Sequence, residues 1–467
     1  MFTVFLLSYL RGARLKKWKS WFFYDRKAIK DRVLRIFVFF KHKLGMFKYS
    51  FLAICLSFPY FLSAQGEATV TDEKLQLNTI TTSMPFLAIT PESRGGGMGD
   101  AGTALSASST SIFWNTAMLN FAEDRSELSI SYTPWLRKLT NDISLSYLSG
   151  YYKLNNRMAV TGALRFFSLG EITFTDASGN YIRDDKPSEF ELAGGYAFKL
   201  SERSSIGVNG KFAYSNLTGG LTVAGATTKP GVAGIADISY AYNNDDVRLG
   251  GVKGTYTFGA TINNIGNKVS YSELSRRDFI PMNLRIGNAY TAKLDDYNKL
   301  TFSVDIQKLL VPTPPVRMLV SGESTIVAGM NNDVGVISGL VQSFYDAPGT
   351  LAEDANGDYI QNVDGTYQIV KGSRFKEEIT EINIAAGMEY WYANVFALRG
   401  GFFYEAPNKG ARQFFTFGAS FQYNIFGIDI SYLAALKRDN PLANTLRFTL
   451  RFKLGSNKTA GGEDKPE

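Results

Sequence analysis

The sequence predicts an all-β chain: a 14-stranded antiparallel transmembrane β-barrel with its N-terminal segment as a plug inside the lumen. Three observations predict it. Polar and apolar residues alternate with period two along most of residues 125–454, the signature of strands with two unlike faces. The alternating runs are long: spanning strands need about 9–11 residues, whereas globular strands average about 5–6. The connections between the runs are short at one end and long at the other, which is how outer-membrane barrels are built.

The first 65 residues form a separate object. They hold 13 of the 50 Lys and Arg, Asp25 and Asp31 as the only acids, and the single His42. Met46-Phe47-Lys48 is a short basic start, Tyr49–Leu62 is largely apolar, and Ser63-Ala64-Gln65 is a small-residue exit. This is the layout of a secretory signal peptide, and the apolar run is too short to span as a helix, which takes about 18 residues. The expectation is translation from Met46 and cleavage after Gln65. From Gly66 on, acids outnumber bases by 41 to 37. The basic whole-chain balance therefore belongs to the leader and implies no nucleic-acid binding.

A chain starting at Gly66 contains no Cys and no His, because Cys55 and His42 precede it. That excludes a disulfide framework, a thiolate nucleophile, a His-based triad and an ordinary zinc site. No cofactor is expected.

Residues 66–124 precede the barrel. Within them Gly97-Met98-Gly99-Asp100-Ala101-Gly102 matches the dinucleotide pattern G-x-G-x-x-G. Such a site needs a preceding strand, a following helix and a βαβ unit, and no such context is visible. The small residues read instead as a device for close backbone approach in a confined space. Gly97, Gly99, Gly102, Trp114 and Asn115 are the expected plug residues.

Fourteen strands are expected near 127–135, 141–153, 157–168, 188–200, 204–216, 232–242, 253–265, 282–294, 298–309, 378–391, 394–405, 411–423, 426–436 and 444–454. The last is the clearest, with Leu446, Phe448, Leu450, Phe452 and Leu454 alternating with Thr445, Arg447, Thr449, Arg451 and Lys453. Asn243–Val252 is the one long connection expected at the short-turn end. Aromatics near strand ends (Tyr132 and Trp135; Tyr151 and Tyr152; Tyr390, Trp391 and Tyr392) read as interfacial girdles. An even strand number puts both termini on one side, expected to be periplasmic, with the long loops extracellular. The tail 455–467 reads as a disordered periplasmic end.

Loop 310–377 is far longer than a hairpin requires, and such loops are usually functional or disordered. It has a Pro-rich entry (Val311-Pro312-Thr313-Pro314-Pro315) and an apolar, helical piece at Val336–Tyr345. Phe344, Tyr345 and Tyr359 are candidate partner anchors; equally, the loop could fold back over the barrel mouth. Asp354, Asn356 and Asp358 resemble the opening of a calcium loop, but Gly365 stands where the closing carboxylate belongs. An Asn-Gly turn is favoured there, and no metal is expected.

Gly99-Asp100-Ala101-Gly102-Thr103-Ala104, followed by Ser111-Ile112-Phe113-Trp114-Asn115-Thr116-Ala117, resembles the hatch of the FadL-type outer-membrane proteins, with Thr116 where those show Pro. The stretch Pro91–Gly102 together with Phe166-Phe167-Ser168-Leu169-Gly170-Glu171-Ile172 is similar to the PorV (LptO) family, the FadL-like components of the type IX secretion system. The resemblance spans about residues 75–455. It implies a FadL-like barrel in outer-membrane lipid and a non-enzymatic role: binding secreted cargo through its C-terminal domain. The cargo would be collected at the large translocon barrel (SprA or Sov) and delivered to the attachment complex that includes PorU. The alternative is a FadL-type transporter of hydrophobic small molecules, which requires an apolar pocket between hatch and wall. A third reading, a lipid deacylase, would need an activated nucleophile, and no spaced constellation for one is visible.

Overall fold

Residues 78–137, 140, 142–176, 178–220, 222–223, 226–273, 275–320, 322–436 and 444–455 are described in the computed structural model. The expected leader, the segment before residue 78 and the tail beyond residue 455 lie outside them.

Fourteen strands close into one antiparallel barrel. They are β1 (Ser126–Pro134), β2 (Ser144–Lys153), β3 (Met158–Ser168), β4 (Ser188–Lys199), β5 (Ser204–Asn216), β6 (Gly231–Leu249) and β7 (Val252–Gly266). The second half is β8 (Asn283–Lys293), β9 (Asn298–Leu309), β10 (Ile382–Tyr392), β11 (Phe396–Tyr404), β12 (Gln413–Tyr423), β13 (Phe426–Ala435) and β14 (Thr445–Leu454). Closure is made by β1 on β14, in a register running from Ser126 opposite Leu454 to Tyr132 opposite Phe448. No strand edge of the barrel is left open, the condition for a sheet to span lipid.

The two faces are inverted relative to a soluble protein. On β14, Thr445, Arg447, Thr449 and Arg451 are buried, while Leu446, Phe448 and Leu450 are exposed. On β1, Glu127, Ser129 and Ser131 are buried against exposed Leu128, Ile130 and Tyr132. An apolar outer band around a polar interior is what a bilayer selects.

Three expectations need correction. Asn243–Val252 is not a long loop. β6 continues to Leu249 and turns at Gly250-Gly251, both at positive φ. The polar run Asn243-Asn244-Asp245-Asp246 looked like a turn because it sits beyond the apolar band, where a strand has no reason to alternate. Second, β10 begins at Ile382 rather than residue 378, because Ser373–Thr380 is a helix. Third, Trp135, Tyr151 and Trp391 do not belong to outward girdles; Trp391 faces the lumen, its ring 5.7 Å from the buried Arg399 guanidinium. Trp135 packs in an interior cluster with Met84, Phe86, Leu145 and Phe167, and Tyr151 is buried, its hydroxyl donating to Asp124 O. Successive strand residues point to opposite faces, so adjacent Tyr151 and Tyr152 could not both face lipid; Tyr152 is the exposed one.

The long loops fold into small units. Hairpins form at Ile172–Thr175 with Tyr181–Asp185 and at Val316–Val320 with Glu323–Ala328. Loop 310–377 also holds the helix Val336–Gln342, as the apolar run predicts.

Candidate functional site: the lumen and the barrel mouth

Residues 78–124 begin at the long-loop end and pass among the inward-facing side chains of the barrel. Single turns of helix form at Ser93–Gly96 and Ser111–Trp114, and 3-10 turns at Pro85–Ala88 and Thr116–Phe121. Chains of single turns leave many backbone groups without a helical partner, and each buried one must be satisfied. The wall satisfies several. Ser93 N donates to Thr449 Oγ1 at 3.0 Å, Gly99 N to Thr416 Oγ1 at 2.8 Å, and Gly102 N and Thr103 N to Asp305 Oδ2 at 2.9 Å each.

Glu92, 1% exposed, organises the first turn. Its carboxylate accepts from Arg94 N at 2.5 Å, Gly95 N at 2.6 Å and Trp114 Nε1 at 2.9 Å. Trp114 thereby joins the G-x-G-x-x-G run to the downstream turn. A Cβ on Gly102 would collide with its indole, at 2.5 Å from Cε2. Asn115 donates from Nδ2 to Thr103 O at 3.1 Å and Tyr240 O at 3.0 Å, and accepts from Ala117 N at 3.1 Å. It fastens the segment both to itself and to β6. Gly99 has φ +71 and lies against the wall, where a Cβ would sit 2.7 Å from Phe402 O. Gly97 differs: its φ is −76, and its virtual Cβ meets Ser93 O at 3.1 Å and Gly418 Cα at 3.4 Å. Four of the five expected residues thus mark close contacts; Gly97 is the least constrained.

An ionic circuit joins segment and wall. Arg94 donates to Glu389 at 2.9 and 3.0 Å, and Arg399 Nε to Glu389 at 2.6 Å. Arg399 continues to Asp429 at 3.1 Å, and Asp429 accepts from Arg451 Nε at 2.5 Å. Arg451 lies 3.8 Å from Glu127, whose Oε1 accepts from Ser109 N at 2.9 Å, back in the segment. Buried charges are tolerated only when paired and hydrogen-bonded, and here each member meets opposite charge. The sequence reading missed this circuit. Its members were legible as charges on the polar faces of their strands (Glu127, Glu389, Arg399, Asp429 and Arg451), but which charge meets which was not.

The reading also missed the wall glycines. A Cβ at Gly387 would lie 2.8 Å from Met98 Cβ, one at Gly401 2.6 Å from Met98 O, and one at Gly259 2.7 Å from Asn115 Nδ2. These are small positions on inward faces, where the segment's backbone meets the wall's backbone.

At the mouth, the long loop folds back and is pinned. Lys409 bridges Glu377 at 2.7 Å and Glu381 at 3.0 Å; Lys308 reaches Glu381 at 2.7 Å. Asn78 Nδ2 donates to Pro314 O and Glu377 at 3.1 Å each. Asp346 accepts from Thr313 N at 3.1 Å and Gln342 Nε2 at 3.2 Å, and burial pushes its carboxyl up to about 6. On this pinned frame Ile337, Phe344, Tyr345 and Phe375 remain exposed. Tyr359 sits apart on a turn, edge-on to Tyr367. In that turn Asp354 Oδ1 accepts from Asn356 N at 2.8 Å and Asp358 N at 3.0 Å, with Gly357 at φ +85. The carboxylate is thus engaged in holding an Asn-Gly turn.

A cavity of about 270 Å³ lies between the segment and the wall at the long-loop end. Asp100, Arg285, Gln307, Glu405, Lys409 and Arg412 are among its lining residues. Ile80, Pro85, Ala88, Pro281, Leu309 and Phe403 line it as well, so the surface is mixed, charged on part and apolar on part.

Residues 71–316, more than half of the chain, match the family model of the type IX secretion system protein PorV. No curated protein matches the chain. Among solved structures it is similar to the CymD monoaromatic hydrocarbon channel, at 12% identity and TM-score 0.40, covering 77% of this chain and 95% of that one. It is also similar to the P. putida toluene transporter TodX, at 12% identity and TM-score 0.41, covering 79% and 99%. A Pseudomonas aeruginosa FadL homologue matches at 11% identity and TM-score 0.36, covering 80% and 99%.

Proposed function

The chain belongs to the PorV family of type IX secretion system proteins, and on that premise we propose that it is a cargo-binding shuttle of the secretion apparatus. As a closed transmembrane barrel of this family it is an outer-membrane component of the system. In this reading the long loops are extracellular and the termini periplasmic. The barrel collects secreted proteins through their C-terminal domains at the translocon (SprA or Sov) and hands them to the attachment complex with PorU. No catalytic step is assigned to it. The segment 78–124 serves as a plug, with Gly99, Gly102, Trp114 and Asn115 as its tightest points and Gly97 as a looser one.

The observation that carries this reading is the pairing of rigidity and exposure at the mouth. Phe375 is left in solvent on a helix pinned by buried ion pairs, and Ile337, Phe344 and Tyr345 are left in solvent beside the buried Asp346, which holds their helix through hydrogen bonds. Apolar and aromatic anchors on a preorganised frame are what protein interfaces use.

The test is co-purification of secreted cargo with the barrel. Ile337→Ser, Phe344→Ser and Tyr345→Ser together should reduce captured cargo at least tenfold, with barrel insertion unchanged. Undiminished capture would remove the mouth from the assignment.

A further inference from the structure

Lipid covers the outer wall of the barrel, and at one place that wall offers it an amide. Asn288 is the middle residue of β8 and is exposed, between the buried, inward Gly287 and Ala289. Its outward neighbours along the strand are Ile286 and Tyr290. Across the sheet it stands opposite Phe258 of β7 and Val304 of β9. At mid-strand the outward positions of the other strands hold Gly, Ala, Val, Leu, Ile, Met, Phe or Tyr.

An amide has a carbonyl acceptor and two N–H donors. Tyr256 Oη donates to Asn288 Oδ1 at 2.7 Å, and that is the one side-chain hydrogen bond of Asn288 among the described residues. Acyl chains have no acceptor, so the Nδ2 donors go unmet wherever lipid alone covers this face. A protein surface pressed on the same face can meet them, as polar side chains do between membrane-spanning elements.

The rim above continues this face. The helix Val336–Gln342 sits at the extracellular ends of β8 and β9. A Cβ on Gly339 would lie 2.7 Å from the Phe279 ring, just before β8, and 3.1 Å from Pro312 Cδ, just after β9. Phe344 follows that helix, its ring 5.8 Å from Lys308 Nζ near the end of β9. Ile337, Val341, Phe344 and Tyr345 are exposed at the rim, and Ile286, Val304 and Ile306 are exposed on the wall below. The amide and the exposed mouth residues thus share one sector of the barrel.

We propose that this sector, the outer wall of β7–β9 centred on Asn288, is a lateral docking face for a second membrane-spanning protein of the same secretion system. The partner presents an apolar wall and one side-chain oxygen, of a hydroxyl or an amide, at the depth of Asn288. The unmet donor calls for a protein rather than lipid, and the class of protein comes from membership of a secretion-system family, the reading on which this proposal rests. Docking there sets the mouth anchors directly above the join between the two proteins.

The experiment is photocrosslinking in native outer membranes, with benzoylphenylalanine replacing Val304. The control replaces Ile130 on β1, the strand diametrically opposite β8 in the ring. The expected result is a discrete adduct from the Val304 site with a heat-modifiable spanning protein, identified by mass spectrometry as a component of the secretion system, and none from the Ile130 site. With benzoylphenylalanine at the Val304 site, Asn288→Leu should lower the adduct by about tenfold, and Asn288→Gln should restore it. In detergent, Asn288→Leu should leave the thermal transition of the isolated barrel undiminished. Five results would overturn the proposal: no adduct or an adduct with lipid alone, an adduct of twice the mass of this chain, equal adducts from both sites, an undiminished adduct in Asn288→Leu, and a lowered transition in that variant, which would assign the amide to the barrel's own stability. Cargo capture is measured in the same membranes. Capture without the adduct removes the docking face and leaves the cargo reading standing; the adduct without capture does the reverse.

Discussion

Gly99 of the lumen segment and Gly401 of β11 meet backbone to backbone. A Cβ on Gly401 would fall 2.6 Å from Met98 O, and one on Gly99 2.7 Å from Phe402 O and 2.9 Å from Ala386 O. Neither obstacle is a flexible side chain, so neither can swing away. Gly401→Val is expected to unseat the segment. Overpacking of this kind costs about 1–3 kcal/mol. The readouts are a lowered thermal transition in detergent and increased outer-membrane permeability. Gly97→Ala, where space is less tight, should be tolerated much better.

Glu389 stands between two arginines, and its loss should cost more than the loss of either one. Glu389→Ala leaves Arg94 and Arg399 facing each other in a buried site. Breaking a buried pair by removing one partner costs about 3–5 kcal/mol. Arg94→Ala leaves Glu389 still paired with Arg399, and a smaller loss is expected. Thermal unfolding of the two variants in the same detergent compares them directly.

The loop frame should depend on pH through Asp346. Burial raises its carboxyl to about 6 from an ordinary value of 3.8. The folded loop therefore binds the proton more tightly than the unfolded loop. Stability from this source is fully present below pH 3.8 and is lost as pH rises through 6. Hydrogen exchange at residues 336–346 should be slower at pH 5 than at pH 7.5 after correction for intrinsic rates. Asp346→Asn should remove the difference.

The facing of β14 is testable by exchange of charge. Leu450 is outward and Thr449 inward. Leu450→Arg puts a cation into the hydrocarbon, at about 2–4 kcal/mol near the midplane, and should lower assembled barrel in the membrane. A reversed assignment would make that substitution mild.

The architecture was readable because lipid imposes two simple patterns, period two and sorted loops, and Leu446 to Leu454 display both faces without interruption. Where the outer environment ceases to be lipid the pattern fails. Asn243 to Asp246 were therefore misjudged as a loop, and Trp135 was assigned to the wrong face. At the candidate site the close-packed glycines and Asn115 stood out by composition. The ionic circuit did not, because pairing of Glu389 with Arg94 depends on two segments nearly three hundred positions apart, and one sequence carries no sign of that.

Thr449, on the last strand, has two neighbours of different origin. Its hydroxyl accepts from Ser93 N at 3.0 Å, lies 3.2 Å from Ser93 Oγ, and meets Ser131 Oγ at 2.9 Å. The last strand, the first strand and the segment that precedes both thus meet at one hydroxyl. The seam that completes the cylinder is therefore wired directly to its filling. Filling and seam are interdependent: a segment drawn out of the lumen takes a hydrogen-bond partner from the strand that closes the cylinder.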